Sequence, residues 1–522
     1  MQRAVKRLQC APLRASVPTC RIPKPSRRSL ADVARHRPPT APKPNIDIKH
    51  IRQNPELYET TCVERNYTRQ ASNPAKIIAL HETWQELQRS GRSLRERSNL
   101  LRKELANPAT SRDDDDLLEL KKLSREVIQA EARRLKTELS VIEDGEAQAV
   151  AGMEALALEL PNLTDPATPL GDEPEVLSYI NSAPVFADSE NGDSGNIWRS
   201  HVHIGTELGI LDFASAAGTS GWGWYYLVGA AAQLEQALVQ YALAVATRHG
   251  WTQVAPPSMV YSHIGAACGF QPRDQNGEQQ VYTVAQSEDD VKRGVPEMSL
   301  AGTSEIPLAG MKANTVLDAA DLPLKRVAVS RCYRAEAGAR GASTKGLYRV
   351  HEFTKVEMFA WTAPDADESQ DLFDEMLDMQ TEILSSLGLH CRILSMPAND
   401  LGASATRKID MEAWFPSRQH HSGGWGEVTS ASACTDYQTR RLMTRARNGG
   451  SSGSGPMEFP WTLNGTALAV PRVLAALLEN GWDEAAGTVT IPECLRPWMD
   501  GMEKIAPLEK RKKGAAEEEE AK

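Results

Sequence analysis

No pair of cysteines with CxxC spacing occurs in this 522-residue chain, and its eight cysteines, at positions 10, 20, 62, 268, 332, 391, 434 and 494, form no Cys/His cluster with zinc spacing. That argues against a structural zinc site and a disulfide framework, and suits buried thiols in a reducing compartment. There is also no run of about 20 apolar residues, so no segment reads as a membrane span. The formal charge of −10 argues against a chain that coats nucleic acid without selectivity, and any RNA contact must be local. What remains is an ordinary soluble composition, 41% apolar and 25% charged, long enough for a large core and two domains.

Acidic residues are missing from one stretch altogether. Before Asp32 there is none, while Arg3, Lys6, Arg7, Arg14, Arg21, Lys24, Arg27 and Arg28 stand among Ser, Ala and Pro. This composition resembles a mitochondrial transit peptide; a basic arm that touches RNA is the alternative. Loss of residues 1–31 would move the charge from −10 to about −18, since eight positive charges leave and no negative ones. The chain is expected to comprise a leader (1–44), a helical arm (45–160), a Pro-, Gly-, Asp- and Asn-rich linker (161–200), a larger body (201–507) and a charge-blocked, solvated tail (508–522).

The arm rests on periodicity. Leu80, Leu87, Leu94 and Leu101 fall seven apart, with Trp84 and Leu105 on the offset row, which Gly91 and Ser98 weaken. Asn107-Pro108 and SRDDDD (111–116) give a break and a fresh helix start. Ile128, Ala132, Leu135, Leu139, Ile142, Ala149, Met153 and Leu156 then keep a spacing of three to four up to Leu160-Pro161. Two such helices predict an antiparallel coiled-coil hairpin. Its outer faces carry a cationic track, Arg89, Arg92, Arg95, Arg97, Arg102, Lys103, Lys121, Lys122, Arg125, Arg133, Arg134 and Lys136, which is either a solvated face or an RNA contact. The four tip aspartates would repel phosphate, so contact is expected on the stems.

Downstream, Val327 to Arg334 and Val350 to Ala360 read as strands around a Gly-punctuated loop containing Gly338, Gly341 and Gly346. Alternation predicts Arg334 and Glu336 on one face of the first strand, and Phe353, Lys355 and Glu357 on one face of the second. Cation, carboxylates and ring on one surface suit a nucleotide, with guanidinium on phosphate and phenyl on purine; a sheet edge with solvated charges is the plainer alternative. Leu234, Leu238, Tyr241 and Val245 mark an amphipathic helix, Val254 begins a strand, and Pro256-Pro257 ends it. A further helix is expected between Asp365 and Gly388, with Leu372, Met376, Met379, Ile383 and Leu387 inward.

The RxE, the Gly-rich loop and HEFTKVEMF (351–359) resemble motif 2 of class II aminoacyl-tRNA synthetases, and in this wording that of seryl-tRNA synthetases. The resemblance runs from about Asn45 to Pro507. It includes an entry segment (45–66), a motif 1-like helix, strand and proline, LAGTSEIPL (300–308) as the Thr-x-Glu serine loop, GEVTSASACTDYQTRR (426–441), and TLNGTALAVPRVLAALLEN (462–480) as motif 3. Residues 268–300 depart from the family's wording and look like an altered or inserted loop. Motif 3 also departs: Ala467 and Pro471 replace glycines and Thr466 replaces a serine, as in organellar members. Pro471 is tolerable only in the first turn of the helix that carries Arg472, or as a kink in it.

The resemblance implies an α+β fold: an N-terminal antiparallel coiled-coil arm plus a class II antiparallel-sheet catalytic domain flanked by helices, working as a homodimer. It implies ligation of L-serine to tRNA(Ser) through seryl-adenylate, with ATP as substrate and Mg2+ as cofactor, in the mitochondrial matrix and without a membrane. The implied catalytic residues are Arg334 and Arg472. ATP would meet Arg334, Ala335, Glu336, Val350, Phe353, Glu427, Val428, Thr429, Ser430 and Arg472; serine would meet Thr303, Ser304, Glu305, Arg334, Glu357, Asn464 and Thr466. Glu427 and Ser430 would supply oxygen ligands to magnesium. Glu305 and Glu357 are short of counter-ions in sequence, which suits an ammonium pocket. A carrier-protein ligase of the same fold lacks the coiled-coil arm that residues 77–160 supply. A non-catalytic RNA-binding paralogue would have lost Arg334 or the carboxylates. The cytosolic form of the enzyme is the nearest alternative, and the leader disfavours it.

Overall fold

The computed structural model describes residues 41–106, 124–183, 199–270, 280–336, 346–419, 422–447 and 455–507. The basic leader up to residue 40, the tip aspartates, Lys121, Lys122, Gly338, Gly341 and the tail lie outside them.

The heptad leucines do form a hairpin. Helix α1 (Asn73–Ala106) and helix α2 (Arg125–Leu158) have 34 residues each, about 50 Å at 1.5 Å per residue. The Ser124 hydroxyl accepts from the Val127 N–H to cap α2. Their seam is tight because leucine meets glycine: a Cβ on Gly145 would lie 3.0 Å from Leu87 Cδ1, and one on Gly152 3.0 Å from Leu80 Cδ1. Seven residues apart on both helices, these contacts set the register. Leu101, Ile128 and Leu135 form one small core toward the outer end, and Ile51, Cys62, Ile77, Met153, Ala157 and Leu160 another at the base. Arg95–Glu146 (2.7 Å) and Arg97–Glu131 (3.1 Å) bridge the helices, so part of the cationic track is tied down.

The body is an eight-stranded sheet of β1 (Glu175–Ile180), β2 (Thr252–Val254), β3 (Leu324–Tyr333), β4 (Glu352–Thr362), β5 (Cys391–Ser395), β6 (Arg407–Trp414), β7 (Trp425–Thr435) and β8 (Trp461–Ala469). Their order is β1-β5-β6-β7-β8-β4-β3-β2, antiparallel throughout except the β2–β3 pair. Helices α3 (Ala230–Arg248), α4 (Ala366–Ser386) and α6 (Val470–Asn480) pack against it, while the short helix α5 (Tyr437–Leu442) follows β7. On β4 the pleat separates two environments. Val356, Met358 and Ala360 join the large core with these helices; Phe359 and Trp361 join a second core with Ile306, Leu308 and Leu442.

Several expected boundaries move. The motif 2 strands are Leu324–Tyr333 and Glu352–Thr362, and Val254 ends its strand rather than beginning it. Residues 161–200, expected as linker, contain β1, which pairs with β5 along the sheet edge. Its residues are mostly exposed, so no apolar alternation announced it. No turn separates β8 from α6: Gly465 lies within β8, opposite Met358 and Ala431, and the strand runs directly into the helix. A Cβ there would lie 2.8 Å from Met376 Cε and 3.1 Å from the Ser430 carbonyl oxygen, so glycine admits close packing. Pro471 sits in the first turn of α6, where no intrahelical N–H is needed.

Truncating Leu101, fully buried between the arm helices, to alanine is expected to cost about 2–5 kcal/mol. Far-UV circular dichroism should show an early arm transition, with the body's melting unchanged.

Candidate active site

Strands β3 and β4 pair in unbroken register from Leu324↔Trp361 to Tyr333↔Glu352, and Arg334 follows the last pair. Its N–H donates to the His351 carbonyl (2.9 Å), and its guanidinium lies 5.2 Å from the Phe353 ring centre. Because β3 stops at Tyr333, Arg334 and Glu336 do not share a strand face as expected. Glu336 adopts φ +45°, and its carboxylate lies 3.4 Å from Arg349. The far end of the loop is fixed by His201: Nδ1 lies 2.8 Å from Glu479, and Nε2 accepts from the Leu347 N–H at 3.0 Å. Gly346, at φ +75°, must be glycine here, since a Cβ would fall 2.1 Å from that ring nitrogen.

One cleft of about 570 Å³, counting solvent at its mouth, is lined by Arg334, Glu336, Val350, Phe353, Glu427, Val428, Thr429, Ser430, Thr466 and Arg472. It thus gathers most residues expected at the nucleotide. Ala335 is not in its lining; its N–H donates to the Gln280 carbonyl. That carbonyl belongs to the segment expected to be an altered loop, whose described part also pairs Met298–Leu300 with Met259–Tyr261. Arg472 donates to the Tyr348 carbonyl (3.0 Å), the Glu427 carbonyl (2.9 Å) and the Glu427 carboxylate (3.1 Å). Burial alone would push the Glu427 carboxyl up, but Arg472, Lys408 and Arg334 outweigh it and hold it well below the usual range. An ionised carboxylate and the Ser430 hydroxyl lining the same cleft are fitting oxygen donors for magnesium. No group of three or more His, Cys, Asp or Glu side chains among the described residues makes a metal cage, so the ion would depend on ligands from ATP.

Behind this cleft lie two buried carboxylates, Glu305 and Glu357 (5% and 1% exposed). Glu305 accepts from Gln438 Nε2 (2.6 Å) and Asn464 Nδ2 (3.2 Å). Its N–H donates to Thr303 Oγ1 (3.3 Å), while Ser304 Oγ is buried with no hydrogen-bond partner. Glu357 accepts from Thr466 Oγ1 (3.2 Å) and pairs with Lys355 Nζ (2.5 Å). The counter-ion that seemed to be missing is therefore Lys355, two residues away on the same strand face. Lys355 and Thr466 also line the cleft, so the two groups of residues adjoin. Burial, then the neighbouring Glu357 charge, pushes the Glu305 carboxyl up to about 8 against the pull of Lys355, Gln438 and Arg334. Lys355, Arg349 and Gln438 were not among the expected site residues. Alternation marked Lys355; nothing local marked Gln438.

The "Seryl-tRNA synthetase N-terminal domain" family matches residues 46–164, and "tRNA synthetase class II core domain (G, H, P, S and T)" matches residues 282–481. A mitochondrial serine–tRNA ligase of Saccharomyces cerevisiae is 44% identical over 348 residues, covering 66% of this chain and 72% of the relative. One of Schizosaccharomyces pombe is 38% identical over 460 residues, 87% of this chain and 88% of the relative. The chain belongs to the seryl-tRNA synthetase family. It is a class II aminoacyl-tRNA synthetase, a serine–tRNA ligase. The crystal structure of the seryl-tRNA synthetase from Pyrococcus horikoshii complexed with ATP superimposes with a TM-score of 0.76 at 31% identity, over 89% of this chain and all of that one. The family's arm and sheet are the architecture described above.

The raised Glu305 pKa has a definite sign in the empty enzyme. A carboxyl near 4.5 unfolded and about 8 folded contributes stability that is full below 4.5 and is lost as pH rises through 8. Within that window the loss approaches about 1.4 kcal/mol per pH unit. Urea unfolding at pH 5, 7 and 9 should show this decline in the native protein and a flatter profile for Glu305→Gln; equal profiles would refute it.

Proposed function

We propose that this synthetase activates L-serine with ATP as seryl-adenylate and then transfers the seryl group to the terminal ribose of tRNA(Ser) in the mitochondrial matrix. The observation carrying this reading is the junction of the cleft with the buried acids: Arg334, Phe353, Glu427 and Arg472 on one side, Glu305 and Glu357 on the other, with Lys355 and Thr466 between.

In the proposed reaction the adenine stacks on Phe353 beside Val350, with Glu336 accepting from its amine and Ala335 alongside. Val428 and Thr429 form the wall of the nucleotide site. A serine carboxylate oxygen attacks the α-phosphorus, the bond to the bridging oxygen breaks, and pyrophosphate leaves; no side chain is needed as nucleophile. Arg334 stabilises charge growing at the α-phosphate and Arg472 charge at the γ-phosphate, both fixed in place before reaction. Magnesium, held by Glu427 and Ser430 together with the phosphates, would supply positive charge to their oxygens. The serine ammonium goes to Glu305 with Thr303 and Ser304 beside it, and its hydroxyl to Glu357 and Thr466, with Asn464 completing the pocket. Such polar pairs disfavour alanine, because its binding leaves them unmet.

The arm, residues 45–160, is the proposed tRNA-binding domain, and residues 201–507 the catalytic domain of a homodimer. Among the described residues, Arg89, Arg102, Lys103, Arg125, Arg133 and Lys136 form no ion pair along the hairpin, leaving them free for phosphates. Mitochondrial residence is supported by the basic leader and by the names of the fungal relatives. No described helix is long and apolar enough to cross a membrane.

Serine-dependent ATP–pyrophosphate exchange tests the reaction. Arg334→Ala should lose about 3–4 kcal/mol of transition-state stabilisation while remaining folded and binding tRNA. Native-like exchange in that variant would overturn the assignment. Residues 1–31 fused to a fluorescent reporter should carry it into mitochondria, and replacement of Arg3, Lys6, Arg7 and Arg14 by serine should leave it in the cytosol. A cytosolic reporter from the unaltered leader would favour the RNA-touching arm instead.

A further inference from the structure

The carboxylate assigned to the serine ammonium is not held by its own segment. Glu305 opens a short helix, Glu305–Gly310, and its side chain is fixed from two other elements. On β8, Asn464 donates to one oxygen, and the Cys434 thiol donating to Asn464 Oδ1 (3.4 Å) turns the amide that way. From α5, Gln438 donates to the other oxygen at 2.6 Å. Gln438 has no exposed surface, so water cannot take its place.

The two acids are treated differently. Glu357 is neutralised by an ammonium, that of Lys355. Glu305 instead receives amide N–H groups, which aim a carboxylate without cancelling its charge. A carboxylate has about four acceptor sites, and two amide contacts leave others open for an incoming cation. A lysine or arginine at position 438 would compete with the substrate for the same charge. We infer that Gln438 is a positioning residue of the serine pocket, orienting the Glu305 carboxyl toward the substrate ammonium, whose arrival ionises it, without placing a competing cation on its oxygens. This rests on the reading of Glu305 as the ammonium ligand.

The helix that bears Gln438 is itself immobilised. Arg441, three residues on and buried, donates to the Tyr437 carbonyl and to the carbonyls of Leu158 (3.5 Å) and Leu160 (3.3 Å) at the base of the arm. The orientation of Glu305 is thereby referred to the arm–body junction rather than to a loop.

The test is serine-dependent ATP–pyrophosphate exchange with the full chain, comparing Gln438→Met, Glu305→Gln and the double variant. Gln438→Met should raise the KM for serine about 10- to 100-fold, the usual worth of a hydrogen bond to a buried charged group, with the KM for ATP unchanged within about 2-fold. In the Glu305→Gln background the same change should add less than about 2-fold, because Gln438 acts through that carboxylate. Should Gln438→Met not fold, Gln438→Asn, which keeps the amide but draws it back by one methylene, is read by the same criteria. An unchanged serine KM in a folded variant, an equal rise for ATP, or full additivity would each overturn the inference while leaving Glu305 in its role. If Glu305→Gln itself left the serine KM unchanged, the ammonium reading would fall first and this inference with it.

Discussion

Two acids buried beside each other carry a heavy electrostatic cost, and the surrounding architecture holds them in place. Glu305 and Glu357 repel, and burial disfavours the charge of each. The sheet answers through register: Thr466 pairs with Glu357 across β8 and β4, and the pleat brings Lys355 to the same face. That face is polar at positions 355 and 357 and becomes apolar at Phe359 and Trp361, so beside the acids the opposite face supplies the cohesion. Val356, Met358 and Ala360 do so in the large core, while Gly465 lets Met376 and the Ser430 carbonyl come close.

Much of the fold was legible because its signals are local and periodic. Leucines seven apart gave the arm. The stripe Leu372, Met376, Met379, Ile383 and Leu387 marks α4, whose buried face includes Leu372, Met376, Met379 and Ile383. Strand alternation brought Phe353, Lys355 and Glu357 together. What was missed depends on partners distant in sequence. The Gln438–Glu305 contact spans 133 residues. β1, EVLSYI, has apolar residues without a two-residue alternation, and its place in the sheet comes from pairing with β5. Arg334 and Glu336 were expected on one face because alternation was carried past Tyr333, where hydrogen bonds to His351 and Gln280 take over from the ladder. Lys408 and Asp410, paired at 2.8 Å on β6, are a further case, since their proximity to Glu427 comes from sheet order alone.

Histidines secure both ends of the motif 2 loop in a way composition does not suggest. His351 meets the Arg334 carbonyl and the Tyr282 hydroxyl through Nδ1, and its ring stacks 5.9 Å from Trp224. His201, accepting at Nε2 from a backbone N–H, must carry its proton on Nδ1 toward Glu479. Burial would raise the Glu479 carboxyl, but the His201 contacts outweigh it and keep it below its usual range. Arg334 and Leu347 are thus both held at fixed points on the body.

The arm has its own small cores, distinct from those of the sheet, and meets the body through backbone carbonyls. Arg65 on the arm reaches the carbonyls of Asn162 and Gly402, and Arg441 on the body reaches those of Leu158 and Leu160. Carbonyl contacts of this kind are indifferent to the side chains that surround them. A hairpin of another length or surface charge could therefore be grafted onto the same seat, provided the two arginines, the backbone path from 158 to 162 and the Asn162 side chain, which donates to the Ser404 and Cys434 carbonyls, are retained. Under the proposed role of the arm in binding tRNA, RNA preference would then be exchangeable as a module, leaving the proposed chemistry of activation where it is.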